Sequence, residues 1–342
     1  MRILVTGGAG YVGLCVVEEL VAAGHEACVL DVLLHGQERL ARGLEESGVE
    51  VIRGDIRDSE ARRRALEDRD AIVHLAAIVG DPACAIDPVL SHEVNVDGSR
   101  ALADDAAAAG ARHLVFASTC SNYGRMSDPT IRIDENGELA PVSLYAEQKV
   151  GIERDLLGRG DAGIAATCLR LATVYGVAPR MRFDLTVNEF TRDLWAGRTL
   201  EVFGEQFWRP YVHARDAARA IVIALEAGPD QLGGQVFNVG HSDENYRKLD
   251  LVEIITGLLG RGDVTYVHRD EDPRDYKVNF EKVRRELGFE PRYRVPDGVR
   301  ELVDALERGD FEDPFAPAYS NLESARGGAD AEGGRSFGNT SS

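Results

Sequence analysis

The stretch RILVTGGAGYVG, residues 2–13, sets an apolar run, Ile3–Val5, against four glycines, Gly7, Gly8, Gly10 and Gly13, before a second apolar run begins. A strand that ends in glycines can turn tightly into a helix, because no Cβ blocks the bend. The N–H groups of the helix's first turn then face the bend without partners, which suits an anion such as a pyrophosphate. Two registers are open, Gly8-x-Gly10-x-x-Gly13 and Gly7-x-x-Gly10-x-x-Gly13.

The alternation continues outward from this stretch. Further short apolar runs at 27–31, 50–53, 71–76, 113–118 and 166–173 predict strands, and 12–23, 37–47, 58–66, 92–109 and 143–157 predict helices between them. Near-continuous apolar strands separated by helices predict an α/β fold whose doubly wound parallel sheet is covered on both faces. Ligands are then expected at the carboxyl ends of the strands. Residues 1–178 form this expected domain, with 235–240 returning to it as a further strand. Residues 179–315 change character and predict a smaller α/β substrate-binding domain. Small polar residues predict a disordered tail over 316–342.

The bulk numbers exclude several classes. With 58 acidic against 39 basic residues, the net charge of −19 argues against nucleic acid and anionic membranes as partners. No run approaches the roughly 18 apolar residues of a membrane span, and only three apolar residues precede the glycines, so a cytoplasmic protein without a signal peptide is expected. Five scattered cysteines, with no C-x-x-C pair, predict no metal site and no disulfide framework.

Two signals carry chemistry. Asp31 ends the second strand about 20 residues after the glycines, where a carboxylate accepts the adenosine ribose hydroxyls and repels a 2′-phosphate; the cofactor is therefore read as NAD. Asp55 in IRGDIRD either bonds the adenine amino group or makes a turn. Tyr145 and Lys149, four residues apart, share a helix face. The ammonium, together with a positively charged nicotinamide, then stabilises a phenolate that would otherwise form only near pH ~10, turning Tyr145 into a usable base.

Together with STCSNYG (118–124), LRLATVYG (169–176), EVNVDGS (93–99) and RPYVHARDAARAI (209–221), these motifs resemble the extended short-chain dehydrogenases/reductases, the nucleotide-sugar epimerase/dehydratase family. The resemblance runs from residue 1 to about 245 in the family's order. It implies a Rossmann domain, the register Gly7, Gly10, Gly13, and NAD contacts from Gly7, Gly10, Tyr11, Val12, Gly13, Asp31, Asp55, Ile56, Leu75, Ala76, Ala77, Asn95, Tyr145 and Lys149. It makes Thr119 the hydroxyl that holds a sugar oxygen, Tyr145 the catalytic base and Lys149 its tuning cation. Thr119, Thr173, Arg209 and Arg274 take the substrate positions, the arginines gripping its diphosphate.

Departures from the family pattern shape the expected reaction. The family's 4,6-dehydratases carry an Asp-Glu pair after the Thr, where this sequence has Cys120 and Ser121. Thr173 stands where many members have Asn. Cys120 is either a thiolate base for C3 or C5 epimerisation or a small buried filler, and His213 is expected to pack or cap rather than catalyse. The resemblance implies an NAD-dependent C4 epimerase of a nucleotide sugar. Reduction, C3/C5 epimerisation, dehydration and decarboxylation are alternative outcomes of the same oxidation. A non-enzymatic NAD-sensing regulator is disfavoured because Tyr145 and Lys149 are both kept. A homodimer through 92–109 and 143–157 is also implied.

Overall fold

The computed structural model describes residues 1–126, 128, 130–160, 163–269 and 274–322. Strand β1 (Arg2–Thr6) runs into helix α1 (Tyr11–Ala22), followed by β2 (Glu26–Asp31), α2 (Glu38–Glu46), β3 (Glu50–Arg53), α3 (Ser59–Ala65) and β4 (Ala71–His74). Helices α4 (Asp81–Ile86) and α5 (Pro88–His92), a π-helical turn (Glu93–Gly98) and α6 (Ser99–Ala108) lead to β5 (His113–Thr119). After a 3-10 turn (Cys120–Tyr123) come α7 (Leu144–Gly158) and β6 (Ala165–Leu171). The chain then forms β7 (Thr173–Tyr175), α8 (Thr186–Trp195), β8 (Thr199–Phe203), β9 (Trp208–His213), α9 (Ala214–Ala227) and α10 (Pro229–Leu232). It ends with β10 (Gln235–Val239), β11 (Asn245–Arg247), α11 (Lys248–Leu259), β12 (Asp263–Val267), α12 (Glu281–Leu287) and α13 (Val295–Arg308).

Seven strands form one parallel sheet in the order β10-β6-β5-β4-β1-β2-β3. The chain leaves β1 in one direction and later returns to its other side as β4, which opens a crevice at the carboxyl ends of those two strands. Strand alternation explains the two cores. Ile3 and Val5 pack into one with α1 and α9, whereas Leu4, Cys28, Leu30 and Ile72 pack into the other with α3, α6 and α7.

The run expected as one strand over 166–173 is divided. β6 stays in the large sheet, Ala172 donates to Val239 O at 3.0 Å, and β7 pairs in a second sheet, β11-β9-β7. A third sheet joins β12 to β8. β10 completes the large sheet, as expected for 235–240, but a boundary at 178 does not separate two closed units, because α9 also packs on α1. The expected tail also starts too early. Residues 316–322 are placed, with Phe183 N donating to Tyr319 O at 2.9 Å and the rings of Phe183, Phe311 and Tyr319 within 5.1–5.7 Å of one another. Aromatic residues supply the apolar surface that a disordered tail lacks; 323–342 lie outside the described residues. Among those described, no helix is long and apolar enough to cross a membrane.

Candidate active site

The glycines close the crevice floor. Gly7 adopts φ +71°, and a Cβ there would lie 2.8 Å from Ala76 N. One on Gly13 would lie 2.2 Å from Gly7 O, and one on Gly10 3.0 Å from the same oxygen. At Gly8 a Cβ would meet a side chain first, the buried Val29, at 2.7 Å. Backbone-on-backbone packing thus selects the Gly7, Gly10, Gly13 register. No side chain caps the first turn of α1, so the helix N-terminus is open toward an anion.

Asp31 is buried at the end of β2 and accepts hydrogen bonds from Ala9 N (3.0 Å) and Leu33 N (2.8 Å). Burial pushes its carboxyl up against the pull of those N–H groups. A carboxylate has about four acceptor sites, which leaves room for ribose hydroxyls. This cradle, with an open helix end and a carboxylate that has acceptor sites to spare, fits a dinucleotide.

Other expected cofactor positions are more distant in action. Asp55 makes a turn: Oδ1 accepts from Arg57 N at 2.8 Å, and Oδ2 from its guanidinium at 2.8 and 3.0 Å. Burial pushes that carboxyl up, and Arg57 more than reverses the shift. Ile56 is buried beneath Gly98. Tyr11 turns its hydroxyl away from the glycines to donate to Gly176 O at 2.6 Å, and Val12 is half-buried. Leu75 N and Ala76 N bond back to Thr6 O (3.0 Å) and Thr6 Oγ1 (3.3 Å), which ends β4 at His74 and sets 75–77 against the glycine turn. Asn95, on the π-turn, engages its amide with Ile78 N, Ile78 O and Gln148 Oε1 at 2.8–3.0 Å. It therefore positions the 75–80 segment instead of offering a free group.

The strand end of β5 and the first turns of α7 bring together the residues expected to be catalytic. Thr119 Oγ1 accepts from Ser121 N at 3.1 Å. Ser143 caps α7 and donates to Asp81 Oδ1 at 2.5 Å. Lys149 Nζ donates to Ala117 O at 2.8 Å and lies 5.9 Å from the Tyr145 ring centroid. Burial pushes this ammonium down to about 8. Burial also pushes the Tyr145 phenol up, Cys84 adding to it and Arg182 opposing. The polypeptide by itself therefore keeps the phenol neutral, and the expected second cation, a positively charged nicotinamide, is needed beside Lys149 to reach phenolate.

Of the two readings of Cys120, the geometry fits the small buried filler and not the thiolate base. Its thiol points into the core, 3.2 Å from Arg170 O, and burial pushes it far above the thiolate range. Ser121 instead faces Tyr276, Oγ to phenolic oxygen 3.2 Å. Arg209 is buried on β9, donates to Trp208 O at 2.7 Å and sits 5.4 Å from the Tyr276 ring. Arg274 Nη1 bonds Asp81 Oδ2 at 2.8 Å, tying it to the α7 cap. Thr173 begins β7 opposite Tyr211. His213 accepts from Arg215 N at 3.2 Å, bonds Glu301 at 2.8 Å and stacks on Tyr293, a structural role as expected.

Sequence reasoning missed Asn188, which bonds Gly176 N (2.9 Å), Arg182 O (2.8 Å) and the Tyr11 hydroxyl (3.2 Å) and so straps the 176–188 loop over α1. It also missed Arg180, Arg182 and Tyr276; none belongs to a motif, and only their burial marks them.

The model of the NAD dependent epimerase/dehydratase family matches residues 3–240. The chain belongs to that family. Within this NAD-dependent family it is 32% identical over 312 residues to a UDP-glucose 4-epimerase of Mycolicibacterium smegmatis, covering 89% of this chain and 98% of that protein. It is 30% identical over 325 residues to a dTDP-glucose 4,6-dehydratase of Streptomyces niveus, covering 89% and 92%. The UDP-glucose 4-epimerase of Thermus thermophilus, solved with NAD, superposes with a TM-score of 0.79 at 29% identity, covering 90% of this chain and 99% of that one. Family members thus include both epimerases and dehydratases on this scaffold.

Proposed function

We propose that this protein is an NAD-dependent epimerase that inverts C4 of a nucleotide-diphosphate sugar through a transient 4-keto sugar. The observation that carries this reading is the turn after Thr119. Cys120 is turned into the core and Ser121 is paired with Tyr276, so the carboxylates with which the family's dehydratases eliminate water have no counterpart there.

NAD, when bound, supplies a reversible hydride acceptor. Tyr145 takes the proton from the C4 hydroxyl as the C–H bond is oxidised and returns it after the keto sugar has turned. Thr119 holds the same oxygen. Lys149, fixed by Ala117 O, keeps a cation beneath the phenol as it loses its proton. Arg209 and Arg274 hold the diphosphate, the guanidinium fork matching phosphate oxygens.

The test is incubation of the purified protein with UDP-, GDP-, CDP- and dTDP-sugars, following products by NMR and NADH by absorbance. Interconversion of C4 epimers without net NADH change is expected. Net NADH consumption, loss of water or loss of CO2 would overturn the reading. A homodimer through α6 and α7 is proposed alongside; a monomer by light scattering would refute it.

A further inference from the structure

Arg180 lies in the loop between β7 and α8 and is only 6% exposed, yet its buried Nε and Nη2 have no hydrogen-bond partner among the described residues. A buried guanidinium with unfilled donors is expensive unless an anion meets it. The charged groups acting on it are Arg182, Asp184 and Asp31. Neither acid bonds Nε or Nη2: Asp184 is forked by Arg182 at 2.9 Å, and Asp31 accepts from Ala9 N and Leu33 N. His35, four residues beyond Asp31, also buries an Nδ1 that lacks a partner. The loop that carries Arg180 is bonded onto the first turn of α1 through Tyr11, Gly176 and Asn188. The loop with the unfilled donors is thus anchored at the helix that has no side-chain cap.

We propose that Arg180, assisted by His35, clamps a phosphate of the dinucleotide from the side opposite the glycine turn. This rests on the reading that the crevice holds NAD. The pyrophosphate is the anion meant, because Asp31 repels a 2′-phosphate at the ribose. The clamp makes dinucleotide retention depend on the loop of the smaller lobe as well as on the glycines.

The test is calorimetric titration of the full chain, with carried-through nucleotide exchanged out, using NAD, ADP-ribose, NADP and adenosine on wild type, Arg180→Met, Arg180→Lys and His35→Phe. In Arg180→Met, NAD and ADP-ribose should bind roughly tenfold or more weakly, with adenosine unchanged. Arg180→Lys should fall between, as a charge without the fork, and His35→Phe should lose less. Without ligand, Arg180→Met should melt above wild type, because the uncompensated charge is gone. Unchanged NAD affinity in Arg180→Met, equal loss of adenosine, or a loss confined to NADP would each overturn the clamp. A wild type that binds neither NAD nor ADP-ribose would overturn the functional reading itself and the clamp with it.

Discussion

Tyr145 and Lys149 sit one helical turn apart, and burial drives both toward their neutral forms, the phenol up and the ammonium down. Lys149 titrates in the folded protein at about 8 instead of its ordinary 10.5. Between those values the unfolded chain binds the extra proton, so stability rises with pH. The penalty for burying the charge is full at pH 7 and fades as pH climbs through that window. Lys149→Met should therefore melt above wild type at neutral pH, by a margin that shrinks toward pH ~10; a constant margin would contradict the assignment. Tyr145→Phe should lower turnover by about 10²–10⁴-fold while NAD affinity stays near wild type, measured by epimer interconversion and titration. Cys120→Ala should keep turnover within about twofold of wild type and lower the melting temperature, as expected for a core substitution. Asp31 and the Tyr145/Lys149 pair were legible because strand ends and helix period fix where such residues point. Cys120 was not: it opens a 3-10 turn, where strand alternation stops, and only packing decides which way the thiol faces.

At the scale of elements, α7 is bound to the sheet beneath it by a buried ion pair, Glu153 with Arg170 of β6. Ser118 Oγ donates to Glu153 Oε2 at 2.7 Å, and Arg170 Nη1 to the Tyr123 hydroxyl at 2.8 Å. The same network therefore holds both the helix of Tyr145 and Lys149 and the turn after Thr119. Glu153→Gln leaves the guanidinium buried without its counter-charge and should cost about 3–5 kcal/mol, read from urea unfolding. The central parallel strands were legible because each is a near-continuous apolar run buried on both faces, as in Ile3–Val5 and Ala71–Val73. The smaller sheets were not. β7 and β11 are three residues long, and β7 follows β6 after a single residue, so one apolar run hid a change of sheet.

The whole molecule is held by segments that pass between its lobes. The cluster of Phe183, Phe311 and Tyr319 joins the end of the described chain to the loop that carries Arg180 and Arg182, and Asn321 N adds a 2.9 Å bond to Asp184. Truncation after Asp310 should lower the melting temperature and weaken NAD binding together, checked by thermal shift with and without NAD; a fall in stability alone would show that the cluster does not reach the cofactor side. The sequence revealed two lobes and the return of β10 to the first, but not that α9 packs there too, because that packing depends on partners far away in sequence. That return has an engineering consequence. A substrate lobe grafted from a relative would bring a foreign α9 and β10 against this protein's α1 and β6, and without a matching β10 the β6 edge would stand open to aggregation. New sugar or nucleotide preference in this scaffold must therefore be introduced by substitutions within the loops, not by exchanging lobes as modules.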